Sequence, residues 1–204
     1  MIMSETKELI PISGNSTGYI EQVSGLGATY TGYASDTPSM AVDTTSNSLT
    51  RAYFNFQTGA DPLPARAIID GVELLLRINN LNVVTAPSDW VWEVDIGQDI
   101  VQDAITTNEL NIWNDVGWVE AASEDFATTP IDTDIDLGLL GISTFNRTGD
   151  TDVCVRDASA WFMGAEYIAI LYGVSGGRST MLKVTYHVGQ IRDCKIYDAK
   201  LYCV

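Results

Sequence analysis

The chain has 204 residues, of which 27 are acidic and 11 basic, giving a formal net charge of −16. That charge excludes a surface built to neutralise phosphates along nucleic acid, and no window reaches the apolar length needed to span a bilayer. The length fits one all-β domain with its own core, because two halves would each be small. Cys154, Cys194 and Cys203 are too few and too unevenly spaced for a disulfide framework, and no Cys/His spacing points to zinc, so reduced thiols are the default expectation. The N-terminus lacks a basic region followed by an apolar one, so assembly in the cytoplasm is expected.

Residues 1–18 are polar and broken by Pro11, Gly14 and Gly18, and read as an arm or a lead-in edge strand. Their apolar cluster is Leu9, Ile10 and Ile12. From Tyr19 to Thr50, short β-prone pieces such as Gly18–Val23 and Ala28–Tyr33 alternate with turn residues. In Arg51–Gln57, Phe54 and Phe56 fall on one face and Tyr53 and Asn55 on the other, the period of a half-buried strand. Asp61-Pro62-Leu63-Pro64 then forces a corner, because proline brings no amide donor to a ladder. Val72, Leu74, Leu76 and Ile78 resume the alternation, with Glu73 and Arg77 outward.

Trp90, Trp92, Val94 and Ile96 define a further strand with a bulky inner face. Residues 98–112 carry Ile100, Val101, Ala104 and Ile105 at helical spacing and predict a short helix ended near Thr106-Thr107-Asn108. Asn111–Val119 holds Trp113 and Trp118 around a turn. Asp152–Val155 reads as a strand leading to a helical turn capped by Asp157 and ended by Gly164. Glu166–Gly173 and Arg178–Val188 read as two closing core strands, the second with Leu182, Val184, Tyr186 and Val188 inward. The arrangement predicted is all-β, a sandwich of two antiparallel sheets or a jelly roll, with one or two short helical turns. Its parts are an arm at 1–18, a sandwich at 19–188 and an extension at 189–204. That extension is apolar and aromatic, and either packs back as an edge strand or docks on another subunit.

Three segments together resemble the DNRLRE-type module of bacterial surface proteins and phage structural proteins. They are Arg51–Ile78, with its Phe-x-Phe strand, Pro corner and Gly-Val-x-Leu-x-Leu strand; Asp152–Leu171, with Ala160-Trp161 and Gly164; and Arg178–Tyr186, a closing Leu-x-Val-x-Tyr strand. The resemblance implies a jelly roll with no catalytic motif. Without a leader peptide it favours the phage structural branch.

Several constellations compete with that reading. Gly14-Asn15-Ser16-Thr17-Gly18 matches the nucleophile-elbow pattern, but that device needs a preceding strand and a following helix, and His187 lacks a motif partner. Asp132, Asp134 and Asp136 resemble a calcium loop at first sight. Leu137 and Ser143 stand where an EF-hand needs Gly and Glu, so the competing reading is a strand with Asp outward and Ile135 and Leu137 inward; a different Ca2+ or Mg2+ site remains the metal candidate. Glu120, Glu124 and Asp125 near Trp118, or Glu93 and Asp95 beside Trp90 and Trp92, have the residue types of a glycosidase pair beside a sugar platform.

The function expected is a non-enzymatic virion component of a tailed phage: a capsid decoration or cement protein, or a small head or tail appendage. Its partners would be the major capsid protein or other virion subunits, with self-association into a homo-oligomer. Contact residues expected are Leu9, Ile10 and Ile12 in the arm, and Ile196, Tyr197, Leu201 and Tyr202 in the extension. The alternative is a carbohydrate-binding or adhesion module.

Overall fold

The structure is a computed structural model that describes residues 3–24, 27–43, 47–60, 62–85, 91–102, 104–125, 132–157, 166–174, 178–189, 194–197 and 200–203. The strands are β1 (Ser4–Leu9), β2 (Gly18–Val23), β3 (Thr29–Ala34), β4 (Ser39–Asp43), β5 (Ser48–Phe56), β6 (Ala67–Leu76), β7 (Ile78–Thr85), β8 (Val91–Gln98), β9 (Val119–Asp125), β10 (Thr133–Asp136), β11 (Thr151–Asp157), β12 (Glu166–Leu171), β13 (Met181–Val188), β14 (Cys194–Tyr197) and β15 (Lys200–Cys203). Two short helices, α1 (Glu109–Trp113) and α2 (Gly138–Thr144), complete the described elements.

All pairings are antiparallel. A small sheet runs β1-β13-β6-β10, and a large one runs β7-β12-β4-β5-β11-β8-β9 with β2 and β3 attached through β5. Eight of these strands, taken in chain order as β1, β5, β6, β8, β9, β10, β11 and β13, form a rolled hairpin. The first pairs with the eighth, the second with the seventh, the third with the sixth and the fourth with the fifth. That is the strand order of a jelly roll. The remaining sandwich strands are insertions: β4, β12 and β7 widen the large sheet beyond β5, and β2 and β3 lie beside it.

The main core fills the space between the sheets, and its members alternate along each strand as the pleat requires. Ala52, Phe54 and Phe56 from β5, Trp92, Val94 and Ile96 from β8, and Val153 and Val155 from β11 face Val72, Leu74 and Leu76 from β6, and Leu182, Val184 and Tyr186 from β13. The Pro corner sends the chain from the large sheet to the small one, as expected. Thr58 Oγ1 fixes it by donating to the Gly149 carbonyl at 2.6 Å.

The alternation from Val72 to Ile78, read as one strand, is broken at Arg77. Leu76 ends β6 in the small sheet and Ile78 begins β7 in the large one, and both are buried because both sheets face the same core. The switch is held by Arg77 N donating to Thr180 Oγ1 at 3.2 Å and Tyr172 N donating to the Arg77 carbonyl at 2.8 Å.

The larger departure lies on the outer face of the large sheet. Tyr53, Cys154 and Ile20 point there and are covered by Val101, Ile105, Ile112 and Trp113, making a second apolar cluster. The helix expected from Ile100 forms later, as α1, with Asn108 preceding it rather than ending it. Ile100, Val101, Ala104 and Ile105 sit in turns instead. Their spacing serves one side of a coiled-back loop, and Asp152 fixes its start by accepting Ile100 N at 2.6 Å and Val101 N at 3.1 Å. α2, too, lies outside the sequence expectation. The helical turn proposed after Asp157 falls outside the described residues.

At the N-terminus, the lead-in strand is realised: β1 edges the small sheet in register with β13 from Ser4 opposite His187 to Leu9 opposite Leu182. Residues 4–9 therefore belong to the sandwich and not to a free arm. Val188, expected inward, is 39% exposed, because β13 runs past the core at its end. β14 and β15 pair with each other and, among the described residues, with no strand of the sandwich.

Two measurements test this packing. Phe54→Ala empties a fully buried site facing β6 and β13, and should destabilise the fold by about 3–5 kcal/mol in urea unfolding. Burial raises the Asp152 carboxyl to about 6 from an ordinary 3.8, against the opposing hydrogen bonds from Asn55, Val101 and Ile100. Between about pH 4 and pH 6 the folded chain then holds a proton that the unfolded chain has released, so the contribution of this group to stability falls as pH rises through that window. Asp152→Asn should remove that slope, changing the wild-type minus variant difference by on the order of 3 kcal/mol across the window.

Candidate functional site

The densest charged and aromatic constellation lies on the outer face of the large sheet, beside the second apolar cluster. β8 and β11 are paired with Glu93 opposite Arg156 and Asp95 opposite Cys154, and β9 brings Glu120 opposite Asp95. Outward positions of adjacent strands thus fall side by side. Arg156 meets Asp95 through Nε at 2.7 Å and a second nitrogen at 3.3 Å, pairs with Glu93, and reaches Glu120 at 3.9 Å. The fork geometry of guanidinium matches a carboxylate at two points, which a lysine would not do. Burial raises the Glu93 carboxyl from its ordinary value, with Arg156 opposing and Glu120 and Asp95 adding to the rise.

Next to this network, Arg51 lies over Trp113, its guanidinium carbon 3.9 Å from the ring centre, and donates to the Trp113 carbonyl at 3.2 Å. Trp118 donates from Nε1 to the Ile112 carbonyl at 2.7 Å and packs against Tyr53 at 5.8 Å between centroids. Arg51, Trp113 and Trp118, with Asn114, Asp115 and the network residues Asp95, Glu120 and Arg156, line an open cleft of 440 Å3. The Arg51 Nε and the Tyr53 hydroxyl are buried beneath it without a hydrogen-bond partner of normal geometry. The cleft is polar and lined with aromatic residues, but its groups are engaged: three carboxylates converge on one guanidinium, and the face of Trp113 is covered by Arg51. An acid/base pair needs carboxylates free to exchange protons across a gap, and a sugar platform needs an open ring face. Sequence reasoning named Glu93, Asp95, Glu120 and Trp118 separately. It missed Arg156 and Arg51, which join them, because only the pairing of β8, β9 and β11 puts these residues together. The side chains of Glu124 and Asp125, and Trp90, lie outside the described residues.

The aspartates of the calcium reading do not converge. Asp132 pairs with Arg178 and accepts Ile78 N at 3.2 Å, Asp134 pairs with Arg77 at 2.8 Å, and Asp136 accepts Gly138 N at 2.8 Å. β10 holds them on the edge of the small sheet with Ile135 and Leu137 buried, as the strand reading has it. Among the described residues no group of three or more His, Cys, Asp or Glu is arranged to hold a metal. Ser16 of the elbow pattern is buried in the turn before β2, whereas His187, on β13, meets Asp70 at 2.9 Å on the small sheet. The two patterns never form one site.

Of the contact residues expected, Leu9 is corrected: it is 7% exposed and packed in the main core, because it is an inward position of an edge strand. Ile12 is half-buried, its amide donating to the Asn55 carbonyl at 2.9 Å. Ile10 is 56% exposed and shares a pocket of 330 Å3 with Arg77, Asp132, Arg178, Ser179 and Met181. Ile196, Tyr197, Leu201 and Tyr202 lie in the β14–β15 hairpin. Leu139, 84% exposed, and Leu140, 48% exposed, stand on α2 and were not anticipated.

No family model matches the chain, and no curated protein matches it. Among solved structures, a mutant of Xylanase10C from Cellvibrio japonicus in complex with xylopentaose is similar at a TM-score of 0.38 and 14% identity. The match covers 90% of this chain and 30% of that one. A likeness of that order carries no argument about activity. Among the described residues no helix is long and apolar enough to cross a membrane.

The Arg156 network makes a definite prediction. Arg156→Gln leaves Glu93 and Asp95 without their counter-charge and should destabilise the fold by about 2–3 kcal/mol at pH 7, a range reduced for partial exposure. The loss should shrink at pH 4, where Glu93, whose carboxyl burial already raises, takes up a proton and gives up its unpaired charge; chemical unfolding at the two pH values measures the difference.

Proposed function

We propose that the chain is a non-enzymatic structural protein of a tailed-phage virion, a capsid decoration or cement protein or a small head or tail appendage. The observation that carries this reading is the division of the surface. The arginines at the cleft and beside the sheet switch, Arg156, Arg77 and Arg178, are tied to carboxylates of the same chain. Large apolar side chains, in contrast, stand open at Ile10 and on α2. Such a protein works by contact: repeated by symmetry on a particle, modest interfaces add up through multivalency. The resemblance of three segments to a module found in phage structural proteins supplies the setting. Ile10 and the hairpin residues Ile196, Tyr197, Leu201 and Tyr202 are the contact positions of this reading, and the major capsid protein or another virion subunit is the partner.

A second reading, carbohydrate-binding adhesion, draws on the cleft at Trp118. It is the weaker of the two because Arg51 covers the ring of Trp113.

Removing residues 190–204 should abolish co-sedimentation with assembled particles while the melting transition of the sandwich is retained. Unchanged occupancy on particles overturns the assignment of the extension as the contact. A sugar ligand on a glycan array, lost on Trp118→Ala, would favour adhesion.

A further inference from the structure

The hairpin of β14 and β15 sets two cysteines against each other. Its register places Cys194 opposite Cys203, Lys195 opposite Tyr202, Ile196 opposite Leu201 and Tyr197 opposite Lys200. Two residues separate Tyr197 from Lys200. Residues facing each other in an antiparallel pair alternate between exchanging both backbone hydrogen bonds and exchanging none. Tyr197 and Lys200 must be an exchanging pair, since the other parity would require two residues adjacent in sequence to bond to each other. Counting outward, Ile196–Leu201 is a non-bonded pair, Lys195–Tyr202 a bonded one, and Cys194–Cys203 a non-bonded one. Cβ atoms of non-bonded pairs lie nearer the short end of the cross-strand range, about 4.5 Å, against about 5.5 Å for bonded pairs. A disulfide needs about 3.5–4.5 Å.

The same alternation sorts the hairpin into two faces: Cys194, Ile196, Leu201 and Cys203 share one, and Lys195, Tyr197, Lys200 and Tyr202 share the other. An isolated two-stranded hairpin is marginal in water, and among the described residues no sandwich strand pairs with this one. A cross-link at its open end would hold the register.

We propose that Cys194 and Cys203 form an intrachain disulfide across this hairpin. With a low-molecular-weight disulfide such as oxidised glutathione as oxidant, the thiolate of one cysteine attacks the oxidant and releases one reduced glutathione. The thiolate of the other attacks the resulting mixed disulfide and releases the second. Each cysteine sulfur gives up one electron, the sulfur–sulfur bond of the oxidant takes both, and the two thiol protons end on the released glutathione. Cys154 takes no part: it is buried within the second apolar cluster, and burial pushes its thiol up to about 12.

The test is equilibration of the full chain in a glutathione redox buffer, followed by alkylation and mass spectrometry. The expected product is a monomer lighter by two hydrogens, with the fragments containing Cys194 and Cys203 joined and Cys154 outside the link; Cys154→Ser should give the same yield. Moving the pair one position, as Lys195→Cys with Tyr202→Cys in a Cys194→Ser/Cys203→Ser background, places it at a bonded site. Its effective concentration should fall about tenfold or more, because the geometry is strained. Full alkylation of both cysteines in oxidising buffer, a link that joins two chains, or equal linkage by the displaced pair would overturn the proposal.

Discussion

Strand β5 is the constraint on which the rest of the molecule depends. It pairs with β4 through Ser48–Thr50, with β2 through Ser48–Tyr53 and with β11 through Ala52–Phe56, so three parts of the chain take their register from nine residues. Its alternation also feeds two cores. Ala52, Phe54 and Phe56 enter the space between the sheets, while Tyr53 anchors the cluster on the other side. A slip of one residue would exchange these faces and place Asn55 and Arg51 in the main core. Both apolar layers therefore depend on the register of β5, and the charged cleft depends on it through β11, which pairs with β5 on one side and β8 on the other.

The arginines show how a chain of net charge −16 spends its few cations. Arg156 holds together three carboxylates of neighbouring strands, Arg51 covers Trp113, Arg77 and Arg178 take Asp134 and Asp132, and Arg147 donates to the Ala67 carbonyl at 2.6 Å. Most of these contacts lie at places where the chain changes sheet or where a loop returns to it. Exposed pairs among them contribute little. The half-buried Arg156 network matters more, since removing one member strands the others in a region where charge is poorly solvated. These arginines serve the protein's own architecture, while the apolar side chains of α2 stand exposed on a surface that remains acidic.

The sequence by itself determined the main alternation: Phe54/Phe56, Val72/Leu74/Leu76, Trp92/Val94/Ile96 and Leu182/Val184/Tyr186 were legible because a period of two needs only local text. The Pro corner was legible for the same reason, since proline acts on its own backbone. An all-β sandwich or jelly roll followed from many short strands with turn signals, and the jelly-roll order itself came from the strand pairings. Tertiary structure alone decided the rest. Ile78 belongs to a different sheet from Leu76 although the apolar pattern runs on unbroken, because both sheets bury their side chains in one core. The spacing of Ile100, Val101, Ala104 and Ile105 matched a helix but serves a loop, because a coil laid on a sheet also needs apolar side chains on one side. Leu9 looked available for a partner until β1 paired with β13. The candidate site was legible only as separate carboxylates and tryptophans: which of them meet, and that Arg156 and Arg51 already occupy them, depends on contacts between β8, β9, β11 and the returning loop, which no local pattern encodes.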